Sequence, residues 1–576
     1  MRRVLAVVVL TSVLVLPVSS LHSLVVTGQQ TDGVPQRRPA TLQSKAKAKP
    51  TNFMVLASQR GADAITAAQL RDYLSFVASD EMEGRDTPSR GLDLTARFLA
   101  MNMARWGLKG AGDNGTYFQK IALRRDLVDS AATRVELNGN PLSFGDQYIP
   151  SPHSGTATGQ LVFAGNGWFV KSKGIDSYKG VDAKGKVAII FTPPVGLPRG
   201  INRSDLSGKR GDDWMSPAEY AKQQGVVGLV IVPDYQYLAN WERFRQRLAE
   251  RGSVVVDKFQ PPATDQLPTI IVGPRVASML FSGERHGATQ LFELSVGNGD
   301  TQMPPSFELR PEKALKLDIA SRKELLSTQN VVAVLEGTDP LLKAEYVALG
   351  AHYDHVGISS AINGDRIYNG ADDDGSGTVT LLAIAEAFSK ARVKPKRSVL
   401  FVWHAGEEKG LWGSRYFTDY PTVPLDKIIT HINLDMVGRS KQAGDTNPRN
   451  RELSTPNEIY VIGSRMMSSE LGELTETVNN GYLKLTYNYR FDDPSDPQRY
   501  FFRSDHYNYA RKSIPVIFFF DGEHEDYHRP GDSPDKIDYQ KMEQVARTVY
   551  MTMWELATRA NRPAVDKPAP AGLIAN

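Results

Sequence analysis

Seven of the ten histidines in the 576-residue chain fall between positions 352 and 528: His352, His355, His404, His431, His506, His524 and His528. Several stand beside carboxylates. Gly350-Ala351-His352-Tyr353-Asp354-His355 is one such stretch, and Asn369-Gly370-Ala371-Asp372-Asp373-Asp374-Gly375-Ser376-Gly377 is a second. His404-Ala405-Gly406-Glu407-Glu408-Lys409-Gly410 and Asn433-Leu434-Asp435-Met436-Val437-Gly438 follow, and Asp526-Tyr527-His528-Arg529-Pro530-Gly531-Asp532 completes the set. Singly, each has a plain structural use. Three aspartates suit a helix N-terminus, Glu407-Glu408 suits a solvated pair, and Asp435 suits a turn. Brought to one rim, the same carboxylates repel one another and lose hydration unless a cation joins them. A divalent metal removes both problems, and imidazole with carboxylate but no thiolate suits zinc. The chain has no cysteine, so thiolate ligands, thiol nucleophiles and disulfides are excluded.

His524-Glu525-Asp526-Tyr527-His528 also reads as H-E-x-x-H. That motif binds zinc only on a helix, where its two histidines share a face. Here Gly522 precedes it and Arg529-Pro530-Gly531 follows, and Pro530 disfavours helical geometry at Arg529. The sequence therefore predicts a turn. It contains neither a G-x-S-x-G elbow nor a phosphate-binding P-loop.

The elements around these stretches alternate. Apolar runs predict strands at 330–335, 346–351, 397–404, 428–435 and 516–520, with helices at 377–391 and 539–560. Such alternation predicts an α/β fold whose central sheet is covered by helices on both faces, with chemistry beyond the carboxyl ends of its strands. Residues 67–76 and 92–106 show helical spacing, and Gly107 ends the second run. Between them and the sheet, short strands at 161–163, 186–191, 228–232 and 268–272 predict a small β-rich insertion.

The ends differ from the body. Arg2 and Arg3 precede an apolar run at 4–17, which is short of the roughly 20 residues that span a bilayer. Residues 1–20 read as a secretory signal peptide, residues 21–60 as a flexible linker and residues 561–576 as a loose tail. Removal of the signal segment leaves no stable membrane insertion, and the expected location is secreted or periplasmic. The formal charge is +3, but the leader and linker hold the excess, so the body from Thr51 carries about −3. That charge gives no argument for nucleic acid.

Together the five stretches resemble the secreted di-zinc aminopeptidases of metallopeptidase family twenty-eight. His352-Tyr353-Asp354, Gly370 to Gly377, Gly406-Glu407-Glu408-Lys409-Gly410, Leu434-Asp435-Met436 and Tyr527-His528 occur in that family's order with similar spacing. The resemblance implies a mixed central β-sheet sandwiched by helices, of the zinc-exopeptidase, phosphorylase-hydrolase-like kind. Residues 61–154 and 306–560 would form the peptidase domain, and residues 155–305 would be an inserted protease-associated domain. It implies two zinc ions. His352 and Asp435 would hold one, Glu408 and His528 the other, and Asp373 would bridge them. Glu407 would be the general base and acid, and Asp354 the carboxylate that orients His352. The Asp373–Asp374 peptide would be cis. His355, His404, His431 and His524 would be structural or outer groups, and Arg503-Ser504-Asp505-His506 receives no ligand role. Peptides with a free N-terminus are the implied substrates. A single-zinc glutaminyl cyclase, a carboxypeptidase on the same fold, and a non-catalytic receptor that has lost its metals are the competing readings.

Overall fold

The computed structural model describes residues 58–568, apart from positions 195, 207, 260–265 and 297–302. The expected signal peptide, nearly all of the expected linker and the end of the tail lie outside the described residues. The part of the tail inside them is tied down: Arg562 pairs with Glu345, and Asp566 accepts from the Ser469 N–H. Among the described residues, no helix is long and apolar enough to cross a membrane.

Two helices lead in. α1 (Ala67–Val77) is capped by the Thr66 side chain and buries Leu70, Leu74 and Val77. α2 (Arg90–Arg105) is capped by Ser89. The chain then alternates between two sheets. β1 (Phe118–Val128) belongs to the first sheet. β2 (Arg134–Leu137), β3 (Tyr148–Pro150), β4 (Gly155–Phe163), β5 (Val187–Phe191) and β6 (Gly228–Val232) belong to the second. β7 (Ser253–Val256) returns to the first sheet, pairing with β1, while β8 (Thr269–Val272) and β9 (Ala314–Ile319) go to the second. From β10 (Ser321–Leu335) onward the strands are all in the first sheet: β11 (Tyr346–His352), β12 (Ser398–His404), β13 (Ile428–Leu434), β14 (Glu458–Ile462), β15 (Thr486–Asn488) and β16 (Val516–Phe520). An exception is the separate hairpin of Gly357–Ile362 and Asp365–Tyr368.

The first sheet runs β7-β1-β10-β12-β11-β13-β16-β14-β15 and is mixed. Its centre, β12-β11-β13-β16, is parallel. β11, β12 and β13 are buried almost end to end, as parallel strands covered on both faces must be. α3 (Gly377–Lys390) and α4 (Tyr539–Thr558) cover this sheet, and Phe388, Tyr550 and Trp554 meet between them. This matches the expected α/β architecture.

Two expectations change. The strand expected at 330–335 is the end of a fifteen-residue strand whose first half pairs with β1 as a ribbon. That half is largely exposed, so it carries no apolar signal. The second sheet also exceeds the expected 155–305: its order is Asn140–Pro141, β2, β9, β4, β5, β6, β8, β3. Strands on both sides of that interval complete it, while β7, inside the interval, extends the first sheet instead.

Candidate metal centre

The parallel core of the first sheet delivers the site. β11 ends at His352, β12 at His404 with Glu407 and Glu408 three and four residues on, and β13 at Leu434 with Asp435 next. His528 lies in the turns after β16, and Asp372 to Asp374 form the turn that opens into α3. Strand carboxyl ends and a helix start thus meet on one rim.

There His352 Nε2 stands 3.3 Å from Asp373 Oδ1 and 3.5 Å from Asp435 Oδ1. His528 Nε2 stands 3.0 Å from Asp373 Oδ2 and 3.1 Å from Glu408 Oε2. Asp373 therefore offers one oxygen to each side. All five expected metal ligands come together. Two donor groups result, His352-Asp373-Asp435 and His355-Asp373-Glu408-His528, each with its donor atoms within 4.8 Å of one another. Asp373 is common to both. His352 Nε2, Asp373 Oδ2, Glu408 Oε1 and His528 Nε2 are buried with no hydrogen-bond partner. Buried polar atoms are ordinarily paired. These fit a metal ion, which would satisfy them and offset the carboxylate charge.

The proton balance agrees. Burial pushes the Asp373 carboxyl up, but His355, His352 and His528 outweigh it and hold it well below the usual range. Burial pushes His528 down, yet its contacts with Asp373 and Glu408 raise it to about 10. Without metal, the cluster keeps protons on His352 and His528 to balance its carboxylates. A metal takes that place by displacing them.

Hydrogen bonds hold His352 and the turn that carries Asp373. The His352 Nδ1–H points at the Asp354 carbonyl, 3.1 Å away, which leaves Nε2 free to face the two aspartates. The Asp354 carboxylate, expected to orient His352, lies 3.7 Å from Nδ1 and also accepts from the Glu407 N–H at 3.1 Å. Asp354 thus faces the imidazole with its carbonyl and its carboxylate and holds the Glu407 backbone as well. The Asp373–Asp374 peptide is cis, as the resemblance implies. Asp374 accepts from the His352, Gly377 and Met436 N–H groups. Glu407 is partly buried and lines a pocket with Asp373, Asp435, Met436, Tyr500, Arg503, Phe518 and Tyr527. Enclosure, with Glu408 and Asp435 nearby, raises its pKa well above the ordinary glutamate value against the pull of His352.

Three supports were not assigned from sequence. Ser504 donates to Asp435 Oδ2 at 2.6 Å and accepts from Asn433 Nδ2 at 2.8 Å. Asp532 accepts from the Asp372 and Asp373 N–H groups. Arg85 is fully buried and donates to the carbonyls of Val77, Tyr353, Asn369 and Gly370, tying the two ligand loops together. Ser504 and Asp532 lie in stretches the sequence singles out, but apart from that of Arg85 with Val77 the contacts of all three span 69 or more residues of chain and have no local signature. Gly370 is required at its place. Its φ is +58°, and a Cβ there would stand 2.3 Å from the Asp373 carbonyl oxygen and 2.5 Å from the His355 ring.

The other histidines divide. His404 Nε2 is 3.0 Å from the Tyr509 hydroxyl, and the His431 ring stacks on Tyr509 at 3.7 Å. His524 turns to Asp372, 3.3 Å away, so the H-E-x-x-H pair faces two different carboxylates from a turn. His355, expected as a structural or outer group, lies inside the second donor group.

Residues 330–553 match the model of peptidase family M28. Over 253 residues the chain is 31% identical to a probable zinc metalloprotease of Pyrenophora teres f. teres (strain 0-1), covering 41% of this chain and 49% of that protein. Over 131 residues it is 36% identical to a probable leucine aminopeptidase 2 of Aspergillus oryzae, covering 23% and 24%. The chain thus spans about half or less of these curated relatives. The solved aminopeptidase from Aneurinibacillus sp. strain AM-1 aligns with a TM-score of 0.49 at 16% identity, over 89% of this chain and 98% of that one. The matched segment begins inside β10 and ends inside α4, so it contains every strand end that brings a donor to the two groups.

Proposed function

We propose that the protein is a zinc-dependent aminopeptidase holding two ions, one at His352, Asp373 and Asp435 and one at Asp373, Glu408 and His528. The observation that carries this is the Asp373 carboxylate, shared between two groups of buried and otherwise unpartnered donors. Zinc bound there supplies Lewis acidity, polarising a scissile carbonyl and acidifying a water. Glu407 accepts the proton of the attacking water on its carboxylate and returns it to the leaving amine. Asp354 fixes the Glu407 backbone through the N–H contact, and Ser504 fixes Asp435. Tyr500, Phe518, Phe520, Tyr527 and Met436 give the pocket an apolar wall suited to an apolar N-terminal side chain.

The second sheet is read as a protease-associated module that shapes the approach to this pocket. Its limits are those of the sheet, 134–150 with 155–319, excepting β7. Export is read from the apolar run at 4–17, and N-terminal sequencing of the mature protein checks it.

The function is tested on a panel of aminoacyl-nitroanilides and N-blocked peptides, with and without chelator, alongside metal analysis. Cleavage confined to free N-termini, lost with chelator and restored by zinc, supports the proposal. Equal cleavage of blocked and free substrates overturns the aminopeptidase reading, and one zinc per chain favours a glutaminyl cyclase.

A further inference from the structure

The two donor groups are unequal. His352, Asp373 and Asp435 make three donors, and His355, Asp373, Glu408 and His528 make four. We infer that His355 is a fourth protein ligand of the Glu408–His528 metal position, closing it, while the His352–Asp435 position keeps only three and stays open to water and substrate. This rests on the di-zinc reading above and deepens it by dividing the labour of the two ions.

Four observations support it. First, His355 Nδ1 lies 2.8 Å from Glu408 Oε1 and 3.6 Å from Asp373 Oδ2. The other edges of the group, from His528 Nε2, are 3.0 and 3.1 Å. Donors sharing a tetrahedral zinc at ~2.0–2.2 Å stand roughly 3.3–3.6 Å apart; the 3.6 Å edge matches that spacing and the other three are tighter. Second, His355 Nδ1 and Glu408 Oε1 are buried and face each other at 2.8 Å, with no other partner for either atom, so a metal ion held by both satisfies the two at once. Third, the His355 ring is fully buried, and neither ring nitrogen finds another partner among the described residues. Fourth, its position is fixed: its N–H donates to the Arg85 carbonyl, and the ring packs where a side chain at position 370 would otherwise lie. A four-donor site is the closed arrangement of structural zinc, and a three-donor site is the open arrangement of catalytic zinc.

The test uses the full chain, stripped of metal and reloaded, in wild type, His355→Phe and Asp435→Asn. Zinc stoichiometry and the two dissociation constants are read by competition with a chromophoric chelator. Near-ultraviolet circular dichroism of each metal-free variant checks the fold, and His355→Gln replaces His355→Phe if the latter does not fold. The expected result is two zinc ions in the wild type, a loss of at least 100-fold in affinity at one site in the His355 variants, and a loss at the other site in Asp435→Asn. Cobalt-loaded wild type should show three paramagnetically shifted, solvent-exchangeable imidazole N–H resonances, and the His355 variants two. Two such resonances in the wild type, or unchanged affinities in the His355 variants, overturn the inference and leave the zinc pair standing. One zinc or none in the wild type overturns the pair, and this inference with it.

Discussion

The two sheets are built alike at their centres and differ at their ends. β11, β12, β13 and β16 run parallel in one sheet, and β4, β5, β6 and β8 run parallel in the other. Both sets are largely buried apolar runs, although β4 becomes one only over Leu161–Phe163. In the first, the chain leaves the strand ends through His352, Glu407-Glu408 and Asp435. In the second it leaves through Ala164-Gly165, Thr192-Pro193, Pro233-Asp234 and Gly273-Pro274. Asp234, the one carboxylate among these, caps a short helix by accepting from the Tyr237 N–H. Parallel strands supply a rim, and what the loops carry decides whether the rim does chemistry.

The sharpest way to break this comparison is Glu407→Gln. The change removes the proton carrier and leaves every donor of the metal groups in place. We expect kcat to fall by roughly 10²–10⁴-fold with zinc content and thermal midpoint unchanged. Near-normal turnover in steady-state assays would show that the rim chemistry has been misassigned. Ser504→Ala comes next. It removes the 2.6 Å hydrogen bond to Asp435 and leaves Asn433 without its acceptor. Zinc affinity at the His352–Asp435 position should weaken by about 10–100-fold in chelator competition, with the other position unaffected. Loss at both positions would mean that the two donor groups do not act separately. Ile189→Ala then probes the second sheet. Ile189 is fully buried in β5, so the variant should lose about 2–5 kcal/mol of stability in denaturant unfolding. Its zinc content and its kcat per folded molecule should match the wild type. A matching fall in kcat would show that the second sheet supports the site directly.

The sequence made the site legible to a degree that follows from how each residue reaches it. His352, Asp373, Glu407, Glu408 and Asp435 lie at or just beyond the ends of regular elements, so the strand and helix pattern points them to one rim, while their roles and the place of His528, in the turns after β16, are what the resemblance implies. Arg85, Ser504 and Asp532 act across long stretches of chain, and only folding shows what they touch. His355 sits next to the ligand loop with no rule of spacing to bring it inward, and burial behind Gly370 decides its direction. The fold was legible where strands are buried on both faces. It was not legible in the exposed half of β10, nor in β7, whose run of three valines gives no sign of which sheet it joins.

The smallest effect concerns two histidines that the site shifts in opposite directions. Burial among Phe501 and Phe518 lowers His506 to about 3, against the pull of Asp505. In the metal-free protein His528 is raised to about 10. The unfolded value for either is about 6.5. Below pH 6.5 the unfolded chain takes a proton that folded His506 refuses. Its contribution is therefore present above about 6.5 and is lost as pH falls toward 3. His528 works the other way: its contribution is present below about 6.5 and is lost as pH rises toward 10. His506→Phe keeps the aromatic packing and removes the first titration. In metal-free protein its thermal midpoint should fall less than the wild type's between pH 7 and pH 4, with equal slopes between pH 7 and pH 9. Equal slopes in acid would show that His506 takes a proton in the folded state. The polar floor beneath the site would then be open to water, unlike the sealed core of the second sheet.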